Sequence, residues 1–169
     1  AKGVIGFRNL DDIEYIMEES KKASHIVVMG AGLVGIDCVT GLLESGKDVS
    51  VVELSDRMLS IQLDKRASST YEEAYRKHGV KMHFSVGISE VKMDENGRVS
   101  SVVLGNGEEI PCDLLIVTAG VRSNMEFLQG SLVECDMRGV LIDEAGRTNV
   151  EGIFAAGDVT GRNPIWPVA

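Results

Sequence analysis

The sequence predicts an α/β fold, a parallel sheet with helices on both faces and an antiparallel β-meander crossover. Three observations carry this expectation. Short apolar runs at Ile26–Met29, Val49–Val52 and Leu114–Val117 read as strands, the last as nearly unbroken as a strand buried on both faces requires. Segments of helical period stand between and beside the first two runs. Residues 86–111 then break into short pieces around Asn96-Gly97 and Gly105-Asn106-Gly107, the punctuation of hairpins.

Taken in order, Asn9 is placed to start a helix, with Asp11 and Asp12 in its first turn and Lys21-Lys22 in its last. That charge order opposes the helix dipole. Leu10, Ile13 and Met17 mark its expected buried side. A strand from about 25 leads into a glycine turn. A helix follows, with Ile36, Val39 and Leu43 at helical spacing beside Cys38 and Leu42, and Gly46 is its stop. Asp48–Glu53 reads as the next strand. A second long helix is expected at about 63–78, burying Leu63, Ala67, Tyr71, Ala74 and His78, with Gly79 ending it. Val80–Phe84 reads as a strand. Asn96-Gly97 favours a type I′ hairpin within a three-stranded meander. Asp113–Thr118 returns the chain to the main sheet. Beyond it, Val140–Asp143 and Gly152–Asp158 look like strands separated by turns.

Composition sets bounds. The chain has 169 residues, 44% hydrophobic and 25% charged, ordinary values for a globular protein. No apolar run approaches the ~18 residues of a membrane span, and no secretory signal is visible, so a cytoplasmic setting is expected. A net charge of −9 argues against nucleic acid and anionic membrane surfaces as partners. It leaves phosphate ligands open, because helix-start amides act locally. Cys38, Cys112 and Cys135 lack metal or redox spacing and read as reduced thiols. No metal site is expected, and no residue is assigned acid, base or nucleophile chemistry.

The chemistry lies in Gly30-Ala31-Gly32-Leu33-Val34-Gly35. With 19 glycines in 169 residues, three at this spacing would arise by accident about 0.2 times, so context must decide. The context is a strand before, a helix after, and an acid, Glu53, closing the next strand. Glu53 lies 18 residues beyond Gly35. This is the layout of a Rossmann-like dinucleotide-binding unit. Gly30 permits a tight turn, Gly32 lets backbone approach a pyrophosphate, and Gly35 lets helix pack on strand. The backbone of Gly30, Gly32, Leu33 and Val34 is expected to meet the pyrophosphate at the helix start. Glu53 would accept hydrogen bonds from the ribose hydroxyls and repel a 2′-phosphate, favouring NAD(H) over NADP(H). Arg57 could instead grip a 2′-phosphate. Ala119 and Gly120, after Thr118, end a strand at the crevice edge where ligands of open sheets collect.

Four stretches in order resemble the pyridine nucleotide-disulfide oxidoreductases, flavoproteins that bind FAD and NAD(P). They are Gly30–Gly35, Val52-Glu53 with Arg57 and Leu59, Asp113–Asn124, and Thr148–Asp158. The closing Ile165-Trp166-Pro167-Val168-Ala169 looks most like the branch of NADH oxidases, rubredoxin reductases and nitrite reductases. Ser123 and Glu151 stand where the family commonly has proline, and Asp37 where it usually has glutamate. The resemblance implies a central fragment. Residues 1–22 would be a hinge and leading helix, 23–122 an NAD(H)-binding domain, and 123–169 a returning segment of a split FAD-binding domain. FAD and interface domains of a parent chain would be partners, and without them the tail would either stay mobile or pair with another copy of the chain. The resemblance also implies that Gly157 and Asp158 correspond to the residues meeting the flavin ribityl chain. The activity implied is NADH-to-FAD hydride transfer in the parent. The alternatives are a dinucleotide-sensing module and an NADPH-dependent thiol-disulfide reductase fragment.

Overall fold

The computed structural model describes residues 1–120 and 122–161. Val121 and the closing Ile165–Ala169 lie outside the described residues. The chain divides into two units, residues 1–119 and 120–169.

In the first unit, strands β1 (Val4–Gly6), β2 (His25–Met29), β3 (Asp48–Glu53), β4 (Lys81–Phe84) and β8 (Leu114–Val117) form one sheet in the order β1-β8-β2-β3-β4. Every pairing in it is parallel. Strands β5 (Ile88–Met93), β6 (Val99–Leu104) and β7 (Glu109–Pro111) form the expected antiparallel meander. Alternation along each central strand feeds two cores. Ile26, Val28, Val51, Leu114 and Ile116 pack with Ile16, Ile36, Val39 and Tyr75 of the helices. Val27, Val52 and Leu115 pack instead with Val99, Val102 and Leu104 of the meander.

That division corrects one expectation. Helices α1 (Leu10–Lys22), α2 (Leu33–Leu42) and α3 (Lys65–Lys77) all contribute to the first core, so the helices share one face. The meander covers the other, its apolar side supplying what a crossover helix would otherwise bury.

Local signals set the helix ends. Asn9 caps α1 by accepting from the Asp12 N–H at 2.9 Å, and the Asp12 carboxylate accepts from the Asn9 N–H at 3.1 Å. This reciprocal pair satisfies two donors that a helix start leaves unpaired. Asp64 caps α3, and Gly46 and Gly79 take left-handed conformations where helices stop.

The buried faces of α1 and α3 differ from expectation. Leu10, Ile13 and Met17 are exposed, and α1 turns Ile16 and Glu19 inward. Glu19 is drawn in by Arg98, which donates to it, and by Lys22 at 2.8 Å. On α3, Tyr71 and Ala74 are exposed while Ser68 and Tyr75 are buried. Ser68 Oγ donates to the Met58 carbonyl at 2.8 Å, and the Tyr75 hydroxyl lies 2.7 Å from Thr40 Oγ1. Burial of hydroxyls is tolerated because each finds a partner.

The Asn96-Gly97 turn also differs. Asn96 does not take the positive φ that a type I′ turn demands, and only Gly97 is left-handed. Asp94 selects this form: its carboxylate accepts from the Asn96 and Arg98 N–H groups at 2.8 and 2.9 Å. Asp113 plays a comparable bracing part, accepting from the Ser24 and His25 N–H groups at 2.8 Å each. Burial opposes its ionisation, but these bonds outweigh that and hold its carboxyl below the ordinary range.

In the second unit the expected strands do not form. Val140 and Phe154 make single antiparallel bridges, to Cys135 and Arg147. Among the described residues of this unit no strand longer than a single bridge forms, and a lone pair of short strands is marginal in water. Gly157–Thr160 is a 3₁₀ turn. The unit is held instead by close backbone crossings: a Cβ on Gly139 would stand 2.4 Å from the Val159 carbonyl oxygen. Phe127, Leu128, Val140 and Phe154 line an open apolar cleft of about 280 Å³.

Candidate dinucleotide site

The site is built where β2 ends and α2 begins. Gly30 has φ +111°, a conformation other residues rarely adopt. Its N–H donates to the Val52 carbonyl at 2.8 Å, so the turn stays in register with β3. A Cβ on Gly35 would sit 2.1 Å from the Gly30 carbonyl oxygen. Only glycine lets α2 rest this closely on the turn. Gly32 is the reverse case. It caps α2 in an extended conformation, and a Cβ there would meet nothing within 4 Å. The space over Gly32 is open, and no side chain caps the helix start. The N–H groups at such a start point outward, unpaired, at the positive end of the helix dipole.

The surrounding hydrogen bonds narrow the set of donors. Gly30 gives its N–H to Val52, and Ala31 gives its own to Glu53 Oε2 at 2.7 Å. Neither of these two N–H groups is free for a further acceptor. Ala31 is buried, and its carbonyl accepts from Leu59 at 2.9 Å. The amides of Gly32, Leu33, Val34 and Gly35 find no acceptor among the described residues, and Gly35 is buried, which leaves the first three for an anion.

Glu53 ends β3, half-buried, with both oxygens engaged by backbone. Oε2 accepts from Ala31, and Oε1 from the Ser55 N–H at 2.7 Å. Charge-assisted bonds of this kind fix the carboxylate plane. Each oxygen keeps a lone pair for a further donor. Arg57 is committed elsewhere. Its guanidinium donates to Asp56 at 2.6 Å and to the Ser60 and Leu63 carbonyls at 2.9 and 3.3 Å. It therefore folds the loop of residues 55–63 rather than reaching out of it.

Thr118, expected at the crevice edge with Ala119 and Gly120, has a bonding role that sequence reasoning did not give it. Its hydroxyl lies 2.9 Å from the Met29 carbonyl oxygen and 3.2 Å from that of Gly30, donating between them. It thereby ties the end of β8 to the glycine turn. A hydroxyl closing an apolar run is the one sequence signal that could have marked it. Ala119 follows, exposed, as the last residue of the first unit, and Gly120, with φ +73°, opens the second.

Gly157 and Asp158 belong to the second unit. Gly157 has φ +79° and open space around its Cβ position, and Asp158 is exposed. The Asp158 carbonyl and that of Arg138 each lie 2.6 Å from Ser123 Oγ. Ser123 thus holds this loop by hydrogen bonds in place of a proline's rigidity. No cluster of metal-ligating side chains occurs among the described residues. Burial pushes the Cys38 and Cys112 thiols up to about 12, too high to supply a thiolate near neutrality.

The pyridine nucleotide-disulphide oxidoreductase family model matches residues 1–169. The chain belongs to this family. It is 34% identical over 155 residues to the epsilon subunit of NADH-dependent phenylglyoxylate dehydrogenase of Aromatoleum evansii, covering 92% of this chain and 36% of that one. It is 31% identical over 158 residues to an NADH oxidase of Enterococcus faecalis, covering 94% of this chain and 35% of the relative. Among solved structures, an NAD-dependent persulfide reductase from A. fulgidus superposes with a TM-score of 0.84 at 28% identity, over 94% of this chain and 29% of that chain. The chain thus spans about a third of the length of these relatives. An α/β fold with a parallel and a separate antiparallel sheet is common ground between the chain and such neighbours. No described helix is long and apolar enough to cross a membrane.

Proposed function

We propose that residues 23–122 bind NAD(H) within an FAD-dependent oxidoreductase, and that residues 123–169 belong to the FAD-binding part. The observation that carries this reading is the pairing of Gly32 and Glu53. One is an uncapped helix start with open space above it, and the other is a carboxylate fixed by two backbone amides. The pyrophosphate would take the amides of Gly32, Leu33 and Val34. The ribose hydroxyls would donate to the free lone pairs of Glu53. A 2′-phosphate would meet that carboxylate and be repelled, so NADH is the coenzyme selected. The similarity to an NADH-dependent dehydrogenase subunit and to an NADH oxidase supports the same choice. When bound, NADH supplies a hydride and FAD receives it. The chain's own part is to bind and orient, with Thr118 and Gly30 fixing the floor of the turn and Ala119, next along the chain, adding little bulk. Gly157 and Asp158 would serve the flavin side in the parent protein, and FAD and interface domains would be its partners there.

Isothermal titration of the chain tests this. NADH should bind with a dissociation constant at least about tenfold below that of NADPH, a difference of about 1.4 kcal/mol. Equal affinities would remove the role of Glu53, and binding of neither would remove the reading.

A further inference from the structure

A continuous run of hydrogen bonds leads away from Glu53. Ser55 donates its N–H to Glu53, and Ser60 Oγ donates to Ser55 Oγ at 3.0 Å. The Ser60 carbonyl accepts from Arg57, and Arg57 donates to Asp56. Asp56 also pairs with Lys65 at 3.2 Å, the first residue of α3. Two cations are therefore tied into the loop that leaves Glu53, and they share the single negative charge of Asp56. Lys65 and Arg57 together hold the Asp56 carboxyl below its ordinary range, so it is charged whenever the protein is near neutrality.

We propose that Asp56 is a selectivity-positioning residue, restraining Arg57 and Lys65 so that no cationic group is offered to a 2′-phosphate. The inference rests on the reading that this site takes a nicotinamide dinucleotide. Its logic is electrostatic. Glu53 would reject the 2′-phosphate directly, but a guanidinium and an ammonium tied to the same loop could offset that rejection if left unpaired. Arg57 keeps its bonds to the Ser60 and Leu63 carbonyls without Asp56, so its planar head stays in place while Nη1 becomes free. Lys65 is 81% exposed at its side chain and can swing toward a new anion. Asp56 touches no coenzyme in this account and acts only through its two partners.

The test is Asp56→Ala, with NADH and NADPH titrated at low salt. The NADPH dissociation constant should fall about tenfold while that for NADH changes less than about threefold. Adding Arg57→Gln to Asp56→Ala should return most of the gain, and raising the salt to about 200 mM should shrink it, because the pairs are exposed. A merely structural role for Asp56 would move both coenzymes together. An unchanged ratio with NADH binding retained overturns the inference and leaves the assignment of the site intact. Failure of the unmodified chain to bind either dinucleotide overturns both.

Discussion

Gly32→Val is expected to raise the dissociation constant for NADH at least ~100-fold while the chain stays folded. That loss corresponds to about 2.7 kcal/mol. Valine accepts the extended conformation of this position, where φ is −77° and ψ −175°. A Cβ there meets no protein atom within 4 Å, so the fold has no reason to object. In the proposed site, the space it fills is the space a pyrophosphate would need above the amides of Gly32, Leu33 and Val34. Valine is a poorer helix cap than glycine, and a loss of about 1 kcal/mol in stability is the ceiling. Calorimetric titration beside a thermal melt reads both quantities. Undiminished NADH affinity would mean that the ligand sits elsewhere.

Gly35→Val should do the opposite, lowering the free energy of unfolding by about 3 kcal/mol or more. Its Cβ would lie 2.1 Å from the Gly30 carbonyl oxygen and 2.8 Å from Thr118 Oγ1. The first of these is backbone in a turn already held by Val52 and Thr118, so it cannot simply step aside. The helix start must lift off the sheet. With total stabilities of about 5–15 kcal/mol for domains of this size, such a loss is a large fraction. Urea denaturation followed by circular dichroism measures it, and a midpoint equal to that of the unmodified chain would contradict the packing role. The two glycines, three residues apart, thus separate the ligand's space from the protein's own.

The parts of this architecture that were legible in the sequence are those set by neighbours in the chain. Asn9 caps α1 because its partner, Asp12, is three residues away, and Gly46 stops the 3₁₀ turn that follows α2 because only local backbone is involved. The strand–turn–helix at residues 25–42 was legible for the same reason. What was missed depends on distant partners. The inward turn of Glu19 is set by Arg98, 79 residues away. The burial of Ser68 and Tyr75 requires acceptors and hydroxyls on other elements, which apolar periodicity does not register. The Asn96-Gly97 turn was misread because Asp94 overrides the dipeptide preference with its own carboxylate. At the site, the glycine spacing pointed to the turn, but not to which amides remain free. That was decided by Val52 and Glu53, which claim the N–H groups of Gly30 and Ala31.

Backbone amide NMR during a titration with NADH tests the central claim most directly. The largest shifts are expected on the N–H resonances of Gly32, Leu33 and Val34, with smaller changes at Ala31 and Ser55 through Glu53. Resonances of those three that stay still while others respond would contradict it.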